Sequence, residues 1–206
     1  TMGANKWQSD DQWPPKAAKE MKLYLHSGGN ANSLYGDGTL SFEPPTGEGS
    51  DSYDYDPMIP VKTIGGGDCC NGGLVIPGAY DQRSIEARND VLVYTSDPLE
   101  EPLEVTGFVD AVLHVSSDAK DTDFAVKLVD VAPDGTAYII DDTIFRARYR
   151  EGYDKKVLMK NGEIYKLDMT PMTTSNEFEK GHRIRIEVTS SNFPKYLFPS
   201  RIPILN

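Results

Sequence analysis

The sequence is poor in the residues from which most catalytic sites are built. Its 206 residues include two cysteines and three histidines. The cysteines, Cys69 and Cys70, are adjacent, which excludes a disulfide framework and any cysteine zinc site of ordinary spacing. Three readings of the pair stay open: two reduced small apolar side chains, a strained bridge between neighbours, or a reactive thiol. His26, His114 and His182 lack the i, i+4 spacing of a helical metal site, so each reads as structural or solvated and no metal is expected. A Gly-x-Ser-x-Gly elbow, which would lift a serine hydroxyl beside a histidine, is missing. "GGGDCCNGG" has the glycines of a phosphate cradle but not the Lys followed by Ser or Thr, and no helix signal follows it. No run approaches the roughly 20 apolar residues of a bilayer-spanning helix. Basic residues are the minority: 21 Lys and Arg against 32 Asp and Glu give a net charge of -11. Such a surface repels phosphate backbones and anionic headgroups, so neither nucleic acid nor membrane is an expected partner.

What is present is punctuation followed by alternation. "HSGGNANSLYGDG", "EPPTGEGSDSYDYDP" and "GGGDCCNGG" place Gly and Pro too densely for helices, and predict a long irregular region over about residues 43–90. Within the first part, "MKLYLH" and "TLSF" read as short strands, and one helical turn is placed after Pro15. From residue 91 apolar and polar residues alternate with period two. Val91 and Val93 share one face. Val109, Ala111, Leu113 and Val115 form the next run, then Val126 and Leu128, then Ile184, Ile186 and Val188 set against Arg183, Arg185 and Glu187. Each run predicts a half-buried antiparallel strand, with "APDGT" and "KNGE" closing hairpins. In "RNDVLVYTSDPLEEPLEVTG" two such strands flank a turn. About eight to ten short strands in one domain predict an all-β jelly-roll sandwich.

Two charged clusters stand out. Asp121 and Asp123 in "DTDF", and Arg146, Arg148 and Arg150 in "RARYR", place like charges two apart and hence on one strand face. Arg forks match carboxylates, so the clusters read as structural ion pairs; the alternative is a grip on an anionic ligand.

"YDYDPMIPVKTIGG", "DQRSIEARNDVLVYTSDPL", "EVTGFVDAVLHVSSDAKDTDFAVKLVDVAPDG", "RARYRE", "GHRIRIEVTSSNFPKY" and "PSRIPIL", in this order, resemble the C-terminal domain of the cocaine esterase and X-prolyl dipeptidyl-peptidase family of serine hydrolases. The resemblance implies a galactose-binding-like jelly roll over residues 21–206. Residues 1–20 would be the exit from an α/β-hydrolase catalytic domain, with the serine, aspartate and histidine of the triad all before Thr1. It implies no cofactor. The implied partners are that catalytic domain in the same protein and a small ester, amide or peptide substrate, with a homodimer also compatible. It places the loop after "KTIGG" near the active-site cleft, with Asp68, Cys69 and Cys70 as pocket-lining candidates and Tyr80, Asp81 and Gln82 as their support. The family separates "NFPKY" from the final "PS" strand by a longer loop, and this chain departs from that pattern, as it does with the Cys69-Cys70 pair. The competing reading is an independent carbohydrate-binding module using Trp7, Trp13, Tyr53 and Tyr55 as a sugar platform.

Overall fold

A computed structural model describes residues 1–47, 49–67 and 73–196. Asp68, Cys69 and Cys70 lie outside the described residues. Those described hold ten strands: β1 (Tyr24–His26), β2 (Thr39–Ser41), β3 (Leu92–Ser96), β4 (Leu103–Val109), β5 (Val112–Val115), β6 (Asp123–Val131), β7 (Ala137–Arg146), β8 (Tyr165–Asp168), β9 (Met172–Phe178) and β10 (Arg183–Thr189). One turn of helix, α1 (Arg83–Glu86), precedes β3, and a 3-10 turn covers Ala147–Tyr149.

One layer is a six-stranded sheet in the order β1-β2-β3-β10-β6-β7, antiparallel except for the β2–β3 pair. The second is a ribbon in which β4 pairs with β9 and β5 with β8. Its halves meet at an irregularity where Asp110 and Ala111 face Met169, Thr170 and Pro171. Pro171 has no N–H to give the ladder, and the extra residue on its side bends the ribbon. The run from Val109 to Val115 is therefore two strands rather than one. Leu92, Tyr94, Phe124, Val126, Leu128, Ile184 and Val188 from the sheet pack against Leu113, Leu167, Met172 and Phe178 from the ribbon. The protein is an all-β sandwich around this interface.

The turn chemistry divides. "APDGT" closes the β6–β7 hairpin, with Ala132 N–H donating to Thr136 O at 2.9 Å and Gly135 at φ +86°. In "KNGE", Glu163 N–H donates to Lys160 O at 3.2 Å, but no strand precedes it. It is a turn at the entrance to β8, not the expected hairpin. After Pro15 there is a single hydrogen-bonded turn, Ala18 N–H to Pro15 O at 2.9 Å. Residues 1–14 lie along the ribbon: Met2 bridges Asn176, and Gln8 Nε2 donates to Glu104 Oε2 at 3.0 Å.

The largest difference from expectation lies on the other side of the six-stranded sheet. Alternation predicts a solvated polar face, yet β6 is buried along its whole length, and Arg185 and Glu187 of β10 are buried with it. The irregular region covers this face. Val61, Ile85, Val91 and Val93 form a small apolar cluster there, so the face shared by Val91 and Val93 points at α1, not at the main core.

Phe178 is fully buried between the layers. Phe178→Ala is expected to lower the unfolding free energy by about 3–5 kcal/mol through lost transfer energy and a residual cavity. Urea denaturation of the two chains measures this, and a loss below about 1 kcal/mol would remove Phe178 from the core.

Candidate functional site

The candidate loop leaves and re-enters the fold through a narrow neck. Gly66 and Gly78 exchange both backbone hydrogen bonds, at 2.8 and 3.0 Å. The neck needs glycine: Gly66 has φ +102°, and a Cβ there would stand 2.9 Å from Asp142 Oδ1. At Gly65, φ is +69° and a Cβ would meet Gly78 O at 2.4 Å. Left-handed backbone and close approach both penalise a side chain at these positions.

Gln82 anchors the neck to the sheet. It is fully buried, and its Nε2 donates to Ile64 O and Tyr80 O, both at 2.8 Å. Its Oε1 accepts from Lys127 Nζ at 3.2 Å, and its backbone N–H donates to Ala137 O at 2.8 Å. One side chain thus ties the segment leading into the neck, the segment leaving it, and β6. Asp81 forms a fork-to-fork pair with Arg83, with Nε–Oδ1 at 3.0 Å and Nη2–Oδ2 at 2.6 Å, and accepts from the Ala137 N–H at 3.2 Å. The Arg83 guanidinium holds the Asp81 carboxyl below the usual carboxylate range. Tyr80 stays half-exposed beside Gly65, and Leu74 and Ile76 are exposed within the loop.

Beneath the neck lies a polar layer that sequence reading treats as solvent-facing. Asp142 is buried, accepting from Lys195 Nζ at 2.7 Å and from Asn192 Nδ2 at 2.9 Å. Arg185 Nη1 donates to Glu86 Oε2 at 2.7 Å, and Lys127 Nζ lies 3.4 Å from Glu187 Oε2. Alternation is the only sequence signal for this layer, and it marks a polar face without saying what covers it.

The two charged clusters meet at one end of β6 and β7. Asp123 and Arg146 are cross-strand partners and pair through Nε–Oδ1 at 2.8 Å and Nη2–Oδ2 at 2.9 Å. Burial moves the Asp123 carboxyl upward by more than Arg146 moves it down. Arg148 grips Asp121 through its backbone N–H at 3.0 Å and its Nε at 2.6 Å. Arg150 differs from the expected ion pair: it donates to the carbonyls of Ala147, Val157 and Leu158 and stacks 4.2 Å from the Tyr165 ring centre.

An open groove of about 1710 Å³ runs between β1 and β5, where the two layers part. Tyr53 and Tyr55 line it, whereas Trp7 and Trp13 lie on the N-terminal segment and do not. The Tyr53 hydroxyl is engaged with Ser190 Oγ at 2.8 Å. The four aromatics do not make one platform.

The histidines do not assemble a nucleophile. His26 Nε2 lies 2.9 Å from Glu43 O and 3.0 Å from Ser41 Oγ. The Ser41 hydroxyl also lies 3.2 Å from Glu43 O, so that carbonyl holds both side chains. His182 Nδ1 is paired with Asp130 at 2.8 Å, and His114 is exposed on β5 opposite Lys166.

Arg148→Ala leaves the partly buried Asp121 with the residue-148 backbone N–H but without its guanidinium, and is expected to cost about 1–3 kcal/mol. Arg83→Ala removes an exposed pair and should shift the denaturation midpoint by less than Arg148→Ala does. Equal shifts in urea titrations of the two variants would contradict the difference in burial.

Comparison with known proteins gives the family of this sandwich. Over residues 1–206 the chain matches the family described as the X-Pro dipeptidyl-peptidase C-terminal non-catalytic domain. It is 46% identical over 195 residues to the cocaine esterase of Rhodococcus sp. (strain MB1 Bresler), covering 95% of this chain and 34% of that protein. An aminopeptidase from a marine sediment Thaumarchaeota archaeon superposes with a TM-score of 0.77 at 32% identity, over 95% of this chain and 33% of its own. An α-amino acid ester hydrolase superposes with a TM-score of 0.68 at 29% identity, over 85% of this chain and 29% of its own. The chain spans about a third of the length of the cocaine esterase and the aminopeptidase. With a family match along its whole length and a sandwich shared with these hydrolases, the chain belongs to the X-Pro dipeptidyl-peptidase C-terminal non-catalytic domain family.

Proposed function

We propose that this domain braces the active-site cleft of a serine hydrolase and lends it a pocket-lining loop. The reaction would be acyl transfer from an ester or amide to a serine hydroxyl and then to water. Nucleophile, general base and oxyanion donors would all belong to an α/β-hydrolase catalytic domain of the same polypeptide, with residues 1–20 of this chain as the exit from it. The observation that carries the proposal is the full-length match to a non-catalytic domain. The relatives' names support the bond class, since they describe an esterase, an ester hydrolase and an aminopeptidase.

In this reading Asp68, Cys69 and Cys70 meet the substrate, and Tyr80, Asp81 and Gln82 hold the loop that presents them. The support is geometric. The loop hangs from a two-glycine neck, and the neck is fastened to the sheet by a buried glutamine whose donors and acceptor are all engaged. A loop on so rigid a base can place a few side chains accurately in a neighbouring domain's cleft.

Two measurements test the proposal. The 206-residue chain should not hydrolyse p-nitrophenyl acetate above buffer or take a serine-directed phosphonate, whereas a polypeptide that includes the catalytic domain should do both; labelling of the 206-residue chain would overturn it. After mild reduction, thiol reagents should modify Cys69 and Cys70 faster in the isolated domain than in the longer polypeptide, where substrate should slow them further. Equal rates without substrate protection would end the pocket-lining role while leaving the bracing role intact.

A further inference from the structure

The two limbs of the neck stand on different supports. The incoming limb, residues 61–64, rests on the stretch after β10: Phe193 N–H donates to Val61 O at 2.9 Å, Thr63 N–H to Phe193 O at 2.6 Å, and Lys195 N–H to Thr63 Oγ1 at 3.2 Å. Lys62 and Phe193 form a parallel bridge there. The outgoing limb, residues 78–82, rests on β7, where Ile139 N–H donates to Tyr80 O at 3.2 Å, Gln82 N–H donates to Ala137 O at 2.8 Å, and Asp81 bridges Tyr138. The placement of the neck therefore depends on how the stretch after β10 is held against β7.

One carboxylate of β7 holds it. Asp142 Oδ1 accepts from Lys195 Nζ at 2.7 Å and Oδ2 from Asn192 Nδ2 at 2.9 Å, so both of its oxygens are taken by the same stretch. The Lys195 and Asp142 side chains are 13% and 0% exposed. Lys127, the cross-strand neighbour of Asp142, is directed to Gln82 and Glu187 instead, so Lys195 supplies the counter-charge. The pair also lies directly under the neck: a Cβ on Gly66 would stand 2.9 Å from Asp142 Oδ1 and 3.9 Å from Lys195 Nζ. An ion pair closed off from water keeps its geometry, because neither partner finds other solvation by moving away.

We propose that Lys195 is a positioning residue: by clamping the stretch after β10 to Asp142, it determines where the loop between Gly66 and Gly78 stands, and hence where that loop meets substrate. Gln82 fastens the two limbs above β6. Lys195 adds a second point, over β7, and two points are what a base needs to resist pivoting about one. The substrate part of this inference rests on the pocket-lining reading of the loop; the clamp itself does not.

Two measurements on Lys195→Met test it. In the 206-residue chain, the Gly66 and Gly78 amides, which bond across the neck, should exchange about tenfold faster than in the parent, while amides of the β4–β9 ribbon keep their rates. In a polypeptide that includes the catalytic domain, KM for p-nitrophenyl acetate should rise about fivefold with kcat retained, as expected when contacts made equally to substrate and transition state are lost. Lys195→Arg, which keeps the charge, should restore both values towards those of the parent. Should Lys195→Met not fold, combining it with Asp142→Asn leaves no carboxylate stranded and should give the same two changes. Unchanged neck exchange, exchange that quickens equally across the sandwich, or no recovery with arginine would overturn the role of Lys195 and leave the pocket-lining reading standing. Faster neck exchange beside an unchanged KM would instead overturn the substrate part together with that reading.

Discussion

The central strands β6 and β10 are buried on both faces, and the second of those faces is charged. This constraint organises the molecule. A sheet face that carries Lys127, Asp142, Arg185 and Glu187 is ordinarily left to water, because each charge loses its hydration when covered. Here it is covered, so partners must come from within the protein: Glu187 has Lys127 of the same face at 3.4 Å, and others come from the covering segment. It supplies Glu86 to Arg185 and Gln82 to Lys127, while the stretch after β10 supplies Lys195 and Asn192 to Asp142. Removing one member of such a set strands the other in a medium that cannot solvate it. Apolar residues could hold the same segment, but a hydrogen bond to Gln82 Oε1 is satisfied in one place only, and the pairing dictates register as well as adhesion.

That register is what the neck inherits. Gln82 is bonded on one side to β6 and on the other to the carbonyls of Ile64 and Tyr80, so the spacing of the two chains entering and leaving the loop is determined by the sheet beneath them. The glycines then let the backbone pass within reach of Asp142 and of its own return strand. The result is a stiff pedestal under a segment rich in small residues. This arrangement suits a domain that contributes a surface to a neighbour's cleft. It also explains why chemistry-bearing groups in this chain are tied up: His26 against a carbonyl, His182 against Asp130, and the arginines of "RARYR" against carboxylates, carbonyls and a ring. Each holds a turn or a strand end in place, and the hydroxyl that His26 does meet, Ser41 Oγ, is within reach of the same Glu43 carbonyl.

Much of this was legible in the sequence. Alternation located β3, β6 and β10, and placed Ile184, Ile186 and Val188 on the core side, because side chains on a strand must point to opposite faces whatever the rest of the chain does. Asp-Gly marked the β6–β7 turn for an equally local reason: a backbone with positive φ is cheapest at glycine. The charge spacing of "DTDF" and "RARYR" pointed to ion pairing, although the turn's own register would set Asp123 opposite Phe145, and it is the one-residue shift between Leu128 and Val129 that brings Arg146 there. The missing serine elbow and the ordered motifs from "YDYDP" to "NFPKY" were enough to point to a non-catalytic domain.

Where local rules ended, the fold decided. Period two shows that β10 has two faces but not that both are covered, since the cover comes from α1, 99 residues earlier in sequence than Arg185. Val109 to Val115 looks like one strand, and it is broken where two of its residues face three on the partner, Pro171 among them. Arg150 looks like its neighbours Arg146 and Arg148, yet the 3-10 turn swings it away from the acidic cluster onto carbonyls and Tyr165. By itself the sequence determined strands, turns and family, because these depend on neighbours in the chain. Only the tertiary structure decided which charges lose their water and which partner each then takes, because burial depends on residues that are distant in sequence.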